Sequence, residues 1–265
     1  VFFLYAYKRY KNFQIVTGCI NLRNIKLTVA YDGTAYHGFQ RQTNALGIQQ
    51  VLEDRLAKVF GHEFRIHMAG RTDAGVHAYG QVVNFKTTGT IPVERIAIAS
   101  RSLLPYDIVI TNAEEVPDDF DAQFSAVSKI YVYKIYQQTI PNPFWRNLVW
   151  TIPHTLDVAA MQQAAQIIVG THDFSSFRAS GGPPGSPVRT IMSAECELHN
   201  NILELSFWGN GFLYHMVRNL TGSLVNVGLG KYSIDKFKFI LDQRDRKKAG
   251  ITAPAQGLYL KEVRY

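Results

Sequence analysis

The order of periodic segments along this 265-residue chain predicts an α+β protein of two ferredoxin-like (βαββαβ) halves, with antiparallel or mixed sheets meeting around a central active-site cleft. Three observations carry that prediction. Apolar periods of two and of 3.6 residues succeed one another as β-α-β-β-α-β over residues 25–113. The same order returns over residues 129–263 with one extra helix. An acidic connector, residues 114–126, lies between them. The repeat is one of order, since the residues of the two halves do not match.

Each element has its own signal. IKLTVAY (25–31) alternates Ile25, Leu27, Val29 and Tyr31, as a half-buried strand does. Residues 47–60 set Ile48, Val51, Leu52, Leu56, Val59 and Phe60 at helical spacing, and Gly61 stops the helix. Phe64, Ile66 and Met68 alternate again, and YGQVVNFK (79–86) is the next strand. Pro92 opens a helix to about Leu104, in the first-turn position where its missing N–H costs nothing, and DIVITNA (107–113) closes the half. In the second half KIYVYKIYQ (129–137) is a strand, and residues 157–169 a helix with Ala160, Met161, Ala164 and Ile168 inward. Residues 188–198 and 202–208 form a hairpin turning at Asn200-Asn201, residues that tolerate left-handed backbone. Helices near 212–227 and 233–242 precede the last strand, 257–263. The expected divisions are therefore an N-terminal extension (1–24), a first half (25–127) and a second half (128–265).

A hydrophobic fraction of 46% excludes wholesale disorder, and no apolar run reaches the roughly 18 residues of a membrane span. Cys19 and Cys196 lie far apart, so a disulfide framework is not expected and a cytoplasmic location is. The apolar run Phe2–Tyr7 precedes the bases, the reverse of a secretory signal. The formal charge of +7 suggests a polyanionic partner, and it is unevenly spread. Residues 1–24, expected to be poorly ordered, carry four bases and no acid. The first half has nine bases against twelve acids, the second fifteen against nine.

Chemistry concentrates in three places. AGRTDAGVHA (69–78) joins the second and third strands, and its small residues let the backbone turn tightly around Arg71, Thr72 and Asp73. Asp73 could act as nucleophile or base, or could hold its own loop as an Asx-turn. In FWGNGFLYHMVRNLTG (207–222), Arg218 lies beside an apolar stripe of Leu213, Val217, Leu220 and Leu224. An arginine there needs a carboxylate, and Asp73 across the cleft is a candidate, as is another acid in a structural ion pair. On KIYVYKIY, Tyr131 and Tyr133 share a face and either stack on exposed bases or belong to the core. The histidines lack HExxH or HxH spacing, so no metal site is expected. GGPPGSP (181–187) lacks the strand and lysine of a phosphate-binding loop and is expected to border a ligand surface.

Several segments together resemble the bacterial tRNA pseudouridine synthase A family, in family order: YDGTAYHGFQRQ (31–42), AGRTDAGVHA (69–78), FSAVSKIYVYKI (124–135), GTHDFSSFR (170–178), SPVRTI (186–191), NGFLYHMVRNLTG (210–222) and AGITAPAQGLYL (249–260). The resemblance covers about residues 25–265. It implies an enzyme that isomerises uridine to pseudouridine at positions 38, 39 and 40 of the tRNA anticodon stem-loop, without metal or organic cofactor, and as a homodimer. It puts the catalytic aspartate on Asp73, its partnering arginine on Arg218, the tyrosine that packs on the target base on Tyr131, and the arginine that helps displace the nucleotide on Arg71. Arg41, Lys129 and Arg178 are the further cations expected to contact RNA. Phe39 stands where the family usually has tryptophan, and Gln123 and Lys129 where arginine is common. The uracil must leave the base stack for this chemistry, after which the ionised Asp73 attacks C6 of the ring or C1′ of the ribose, or deprotonates the sugar. The alternative is a tRNA-binding protein of the same fold without catalysis.

Overall fold

The structure, a computed structural model, describes residues 22–265; residues 1–21 of the N-terminal extension lie outside the described residues, and with them its expected disorder. The first half comprises β1 (Arg23–Tyr31), α1 (Ile48–Phe60), β2 (His67–Met68), β3 (His77–Thr87), α2 (Val93–Arg101) and β4 (Ile108–Val116). The second comprises β5 (Ser128–Gln137), β6 (Trp150–Ile152), α3 (Val158–Gln166), β7 (Gly170–Asp173), β8 (Val188–His199), β9 (Ile202–Gly209), α4 (Met216–Gly228), α5 (Ile234–Gln243) and β10 (Leu258–Arg264).

Both halves have the ferredoxin-like strand order. In the first, β1 lies between β4 and β3, and β2 pairs with the far edge of β3, all antiparallel. In the second, β5 lies between β10 and β9, and β8 pairs with β9. The length of β2 decides how they join. Two residues long, it covers β3 only at Val83 and Asn84, leaving the His77 end of that edge open. β10 fills it in parallel, Tyr259 opposite His77 and Leu260 opposite Ala78, so the halves share one ten-stranded sheet. An open strand edge is a pairing site, and here the other half occupies it.

Several boundaries differ from the sequence expectation. β1 starts at Arg23 rather than residue 25: the Arg23 guanidinium pairs with Glu115 at 2.9 Å and donates to the carbonyls of Gly89 and Ile91. Lys26 likewise pairs with Glu114 at 3.0 Å, so two acids assigned to the connector belong to β4. Cross-strand ion pairs extend both strands past their apolar stretch. Pro92 sits at the cap before α2 rather than in its first turn, and α2 stops at Arg101. Phe64 and Ile66 are packed without joining the ladder, Phe64 stacking on Phe85 at 4.0 Å. β6 and β7 had no sequence signal, being too short to show a period. The hairpin turn is as expected, with Asn200 and Asn201 at φ 47° and 67°, the type I′ geometry that matches strand twist.

His77 ties the junction together. Its Nδ1 accepts from the Gly33 N–H at 3.0 Å, and its Nε2 lies 3.0 and 3.1 Å from the carbonyls of Asn147 and Gln256. Those partners fix a neutral ring protonated at Nε2. Burial lowers its pKa, outweighing Asp32 nearby. The unfolded chain therefore takes up the proton first, and stability falls as pH drops below about 6.5. Melting temperatures between pH 8 and 5.5 will fall more steeply for the native chain than for His77→Gln; equal slopes would refute this assignment.

Candidate active site

The loop carrying Asp73 is held from every side. Ala69 N–H donates to the Val82 carbonyl, and Gln81 Nε2 to the Gly70 carbonyl at 2.7 Å. The Thr72 hydroxyl bonds to Tyr31 Oη at 2.7 Å, and the Thr72 carbonyl accepts from Phe39 N–H. Gly38, at φ 89°, lies so near Thr72 that a Cβ would stand 2.7 Å from its carbonyl oxygen. Phe39 is fully buried and packs its ring 5.9 Å from that of Tyr31, which accounts for an aromatic there without reference to RNA.

Opposite this loop stands α4, buried on nearly all sides. It begins at Met216, four residues later than expected, because residues 210–215 form an irregular approach ending in His215 at φ 57°. Left-handed backbone at a non-glycine residue is strained, and it aims this ring at the site. Arg218 donates from Nη1 to Asp73 Oδ2 at 3.0 Å and from Nε to the Ala253 carbonyl at 2.7 Å. His215 Nε2 lies 3.2 Å from the same Oδ2. Among the described residues no hydrogen bond reaches Oδ1, which leaves one oxygen of the carboxylate to the cavity. Burial, with the charges of Arg218 and Arg246, holds the His215 pKa below its ordinary value against the pull of Asp73. At neutral pH Asp73 therefore faces one cation and one neutral ring. In the sequence His215 stands three residues before Arg218; the structure places it ahead of the first turn of α4, and its left-handed backbone rather than a helical face brings it to Asp73.

A cavity of about 1070 Å³ opens over this pair. Tyr131 lines it, 8% exposed, its ring edge-on to Phe212 at 5.1 Å. Burial pushes its phenol well above the ordinary range, so it stays protonated. Tyr133 belongs to the core, donating to the Pro254 carbonyl at 2.7 Å. Arg71 is exposed on the cavity wall, and no ion pair among the described residues engages it.

The other expected RNA cations are differently placed. Arg41 is not among the cavity-lining residues and pairs with Glu53 at 3.0 Å and Asp54 at 3.3 Å. Lys129 lines the cavity but gives its ammonium to the Ala69 carbonyl at 2.6 Å, and burial lowers its pKa. Its position braces the Asp73 loop. Arg178 lines the cavity and bonds to carbonyls of the 181–187 loop. Gln123 is exposed at the rim, beside Phe124, which is 83% exposed. Five cations line the cavity, Arg71, Lys129, Arg178, Arg189 and Arg218, against Asp73 as the one acid, and all but Arg71 come from the second half. That is a cavity built for a polyanion.

Residues 250–254, a strap whose Ala253 carbonyl holds Arg218, pack on α4 at Gly222. A Cβ there would collide with the Ile251 carbonyl, three residues from the Pro254 carbonyl that Tyr133 holds. Gly222→Ala will push the strap away from α4 and cost about 1–3 kcal/mol. Chemical denaturation checks this, and an unchanged midpoint would refute it.

A family profile described as tRNA pseudouridine synthase matches residues 27–125 and 164–265. Among curated proteins, tRNA pseudouridine synthase A of Thermoanaerobacter sp. (strain X514) is 46% identical over 244 residues, 92% of this chain and 100% of that protein. The tRNA pseudouridine synthase A of Acetivibrio thermocellus is 45% identical over 244 residues, again 92% of this chain and 100% of that protein. That of Bacillus pumilus (strain SAFR-032) is 45% identical over 243 residues, 91% of this chain and 98% of that protein.

Proposed function

The chain belongs to the tRNA pseudouridine synthase family, an isomerase acting on tRNA, and from that premise we propose that Asp73 carries the reaction at positions 38, 39 and 40 of the anticodon stem-loop. The observation that carries this reading is the Asp73–Arg218 pair, with one carboxylate oxygen bonded and the other open to a cavity whose other charged walls are cationic.

The geometry supports the roles that the resemblance implies. Arg218 holds Oδ2 and fixes the plane of the carboxylate, so Oδ1 is the oxygen that meets the flipped nucleotide. The protonated Tyr131 ring packs on the uracil while the C1′–N1 bond breaks and the base turns to present C5 to C1′. The new C5–C1′ bond forms, the C5 proton is lost, and N1, which left with the electron pair of the broken bond, gains a proton, so the product is an isomer of the substrate. Enclosure by Tyr131 and Phe212 keeps water from the detached base. Arg71, exposed and free of acid partners among the described residues, takes the place the nucleotide leaves in the stem. Nothing in the chain's cavity lacks for an acid, a cation or an aromatic platform, and this disfavours a purely tRNA-binding role.

A homodimer and a cytoplasmic location complete the proposal; no helix among the described residues is long and apolar enough to cross a membrane. Pseudouridine-specific primer extension on unmodified tRNA, read across the anticodon arm, tests the reaction and its positions. Stops at 38–40 are expected, and their absence would overturn the assignment. Sedimentation of the purified chain tests the dimer.

A further inference from the structure

Two arginines on the cavity wall have no role in the chemistry above. Arg178 donates from Nη2 to the Pro183 carbonyl at 2.6 Å and from Nη1 to the Gly185 carbonyl at 3.2 Å. Arg189, at the start of β8, donates from Nη1 to the carbonyls of Ser186 and Val188 at 2.8 and 2.6 Å. Neither forms an ion pair with a carboxylate among the described residues, and every acceptor they hold is a backbone carbonyl of the 183–186 loop or of Val188, the first residue of β8. Burial and the nearby charge of Arg178 both lower the Arg189 pKa, so the two guanidiniums repel each other in a partly dehydrated place. The Nε and Nη2 atoms of Arg189 donate to no atom of the described residues. That edge of a guanidinium is the fork that grips two phosphate oxygens. Gly211 leaves room for it: a Cβ there would stand 3.4 Å from Arg189 Nε.

We propose that Arg189, seconded by Arg178, is a phosphate clamp that receives an RNA phosphodiester flanking the nucleotide whose base enters the cavity, a reading that rests on the tRNA substrate proposed above. The carbonyls of residues 183–188 are stand-ins for phosphate oxygens. They neutralise part of the charge by dipole alone, and a phosphate replaces them with a full negative charge. The loop can yield because Gly181 and Gly185, at φ 85° and 147°, provide backbone that other residues rarely adopt.

The test is a double-mutant cycle between protein and RNA. Binding is measured with the full chain carrying Asp73→Asn, so that no turnover intervenes. The probes are anticodon stem-loops bearing one neutral methylphosphonate linkage at a time within three nucleotides of the target. Arg189→Ala is expected to weaken binding of the unmodified stem-loop about tenfold. At one linkage the methylphosphonate should cost the Arg189-containing protein the same factor and the Arg189→Ala protein nothing more. The slope of log affinity against log salt should fall by about 0.7–0.9 for the lost contact. Arg178→Ala supplies the same cycle should Arg189→Ala melt at a lower temperature. Additive effects at every linkage, or an unchanged salt slope, would overturn the clamp. Failure of the unaltered enzyme to form pseudouridine would instead overturn the parent reading, leaving the binding cycle to stand by itself.

Discussion

The Asp73→Asn enzyme will bind tRNA and form no pseudouridine. Asparagine keeps the shape of the side chain, and its carbonyl oxygen can still accept from Arg218 Nη1, which now reaches Asp73 Oδ2 at 3.0 Å. The loop will stand unaltered, because its supports are Tyr31, Gln81, Lys129 and backbone partners rather than the carboxylate. What goes is the anionic oxygen facing the cavity. An amide is neither a nucleophile nor a base at neutral pH, so the rate should fall at least about 10⁴-fold. Affinity should stay within about tenfold, since phosphate contacts supply most of it. Single-turnover assays and filter binding on one preparation read both quantities. Appreciable turnover by this variant would remove Asp73 from its role.

Removing Arg218 should cost both activity and stability. Its side chain is 14% exposed and bridges Asp73 to the Ala253 carbonyl, while the Ala253 N–H returns a bond to the Arg218 carbonyl. Arg218→Ala leaves the carboxylate with His215 as its one neighbouring side-chain partner among the described residues, removes one of the charges that hold the His215 pKa down, and frees the Ala253 carbonyl. Breaking a fully buried pair costs about 3–5 kcal/mol; since the Asp73 side chain is 24% exposed, about 1–3 kcal/mol is expected. Activity should fall about 10³-fold, because the carboxylate loses the group that sets its plane. Arg218→Lys restores charge but cannot hold Asp73 and Ala253 together, and should recover only about one of the three lost decades of rate. Thermal melts with single-turnover rates separate the two effects. A lysine variant as fast as the native enzyme would show that charge alone matters.

The mild family departures are placed by their surroundings. Phe39 fills a core position against Tyr31. Lys129 needs only one donor to reach the Ala69 carbonyl, and a Cβ on Gly70 would stand 3.0 Å from its Nζ, so the compact ammonium fits a tight space. Its Nζ braces the loop that carries Asp73 while the side chain still lines the cavity. Arg41 shows the same lesson from the other direction. Its charge was visible in the sequence, and its neutralisation by Glu53 and Asp54, on the next helix, was not.

By itself the sequence determined the order of the longer elements, all but the short β6 and β7, the two ferredoxin-like halves and the need of Arg218 for an acid. Those rest on period, on turn residues such as Asn200-Asn201, and on the cost of burying a lone charge, which are all readable within a few residues. Tertiary structure alone decided the rest. It put β10 on the open end of β3, 145 residues of separation on Asp73 and Arg218 at 3.0 Å, and His215 in a strained turn against the same oxygen. It also decided which cations remain free, spending Arg41 on acids and Lys129 on a carbonyl while leaving Arg71 open. The reason is one of range. Hydrophobic period and turn chemistry act between neighbours in the chain, whereas ion pairing, edge pairing and burial depend on which distant segments the fold brings into contact.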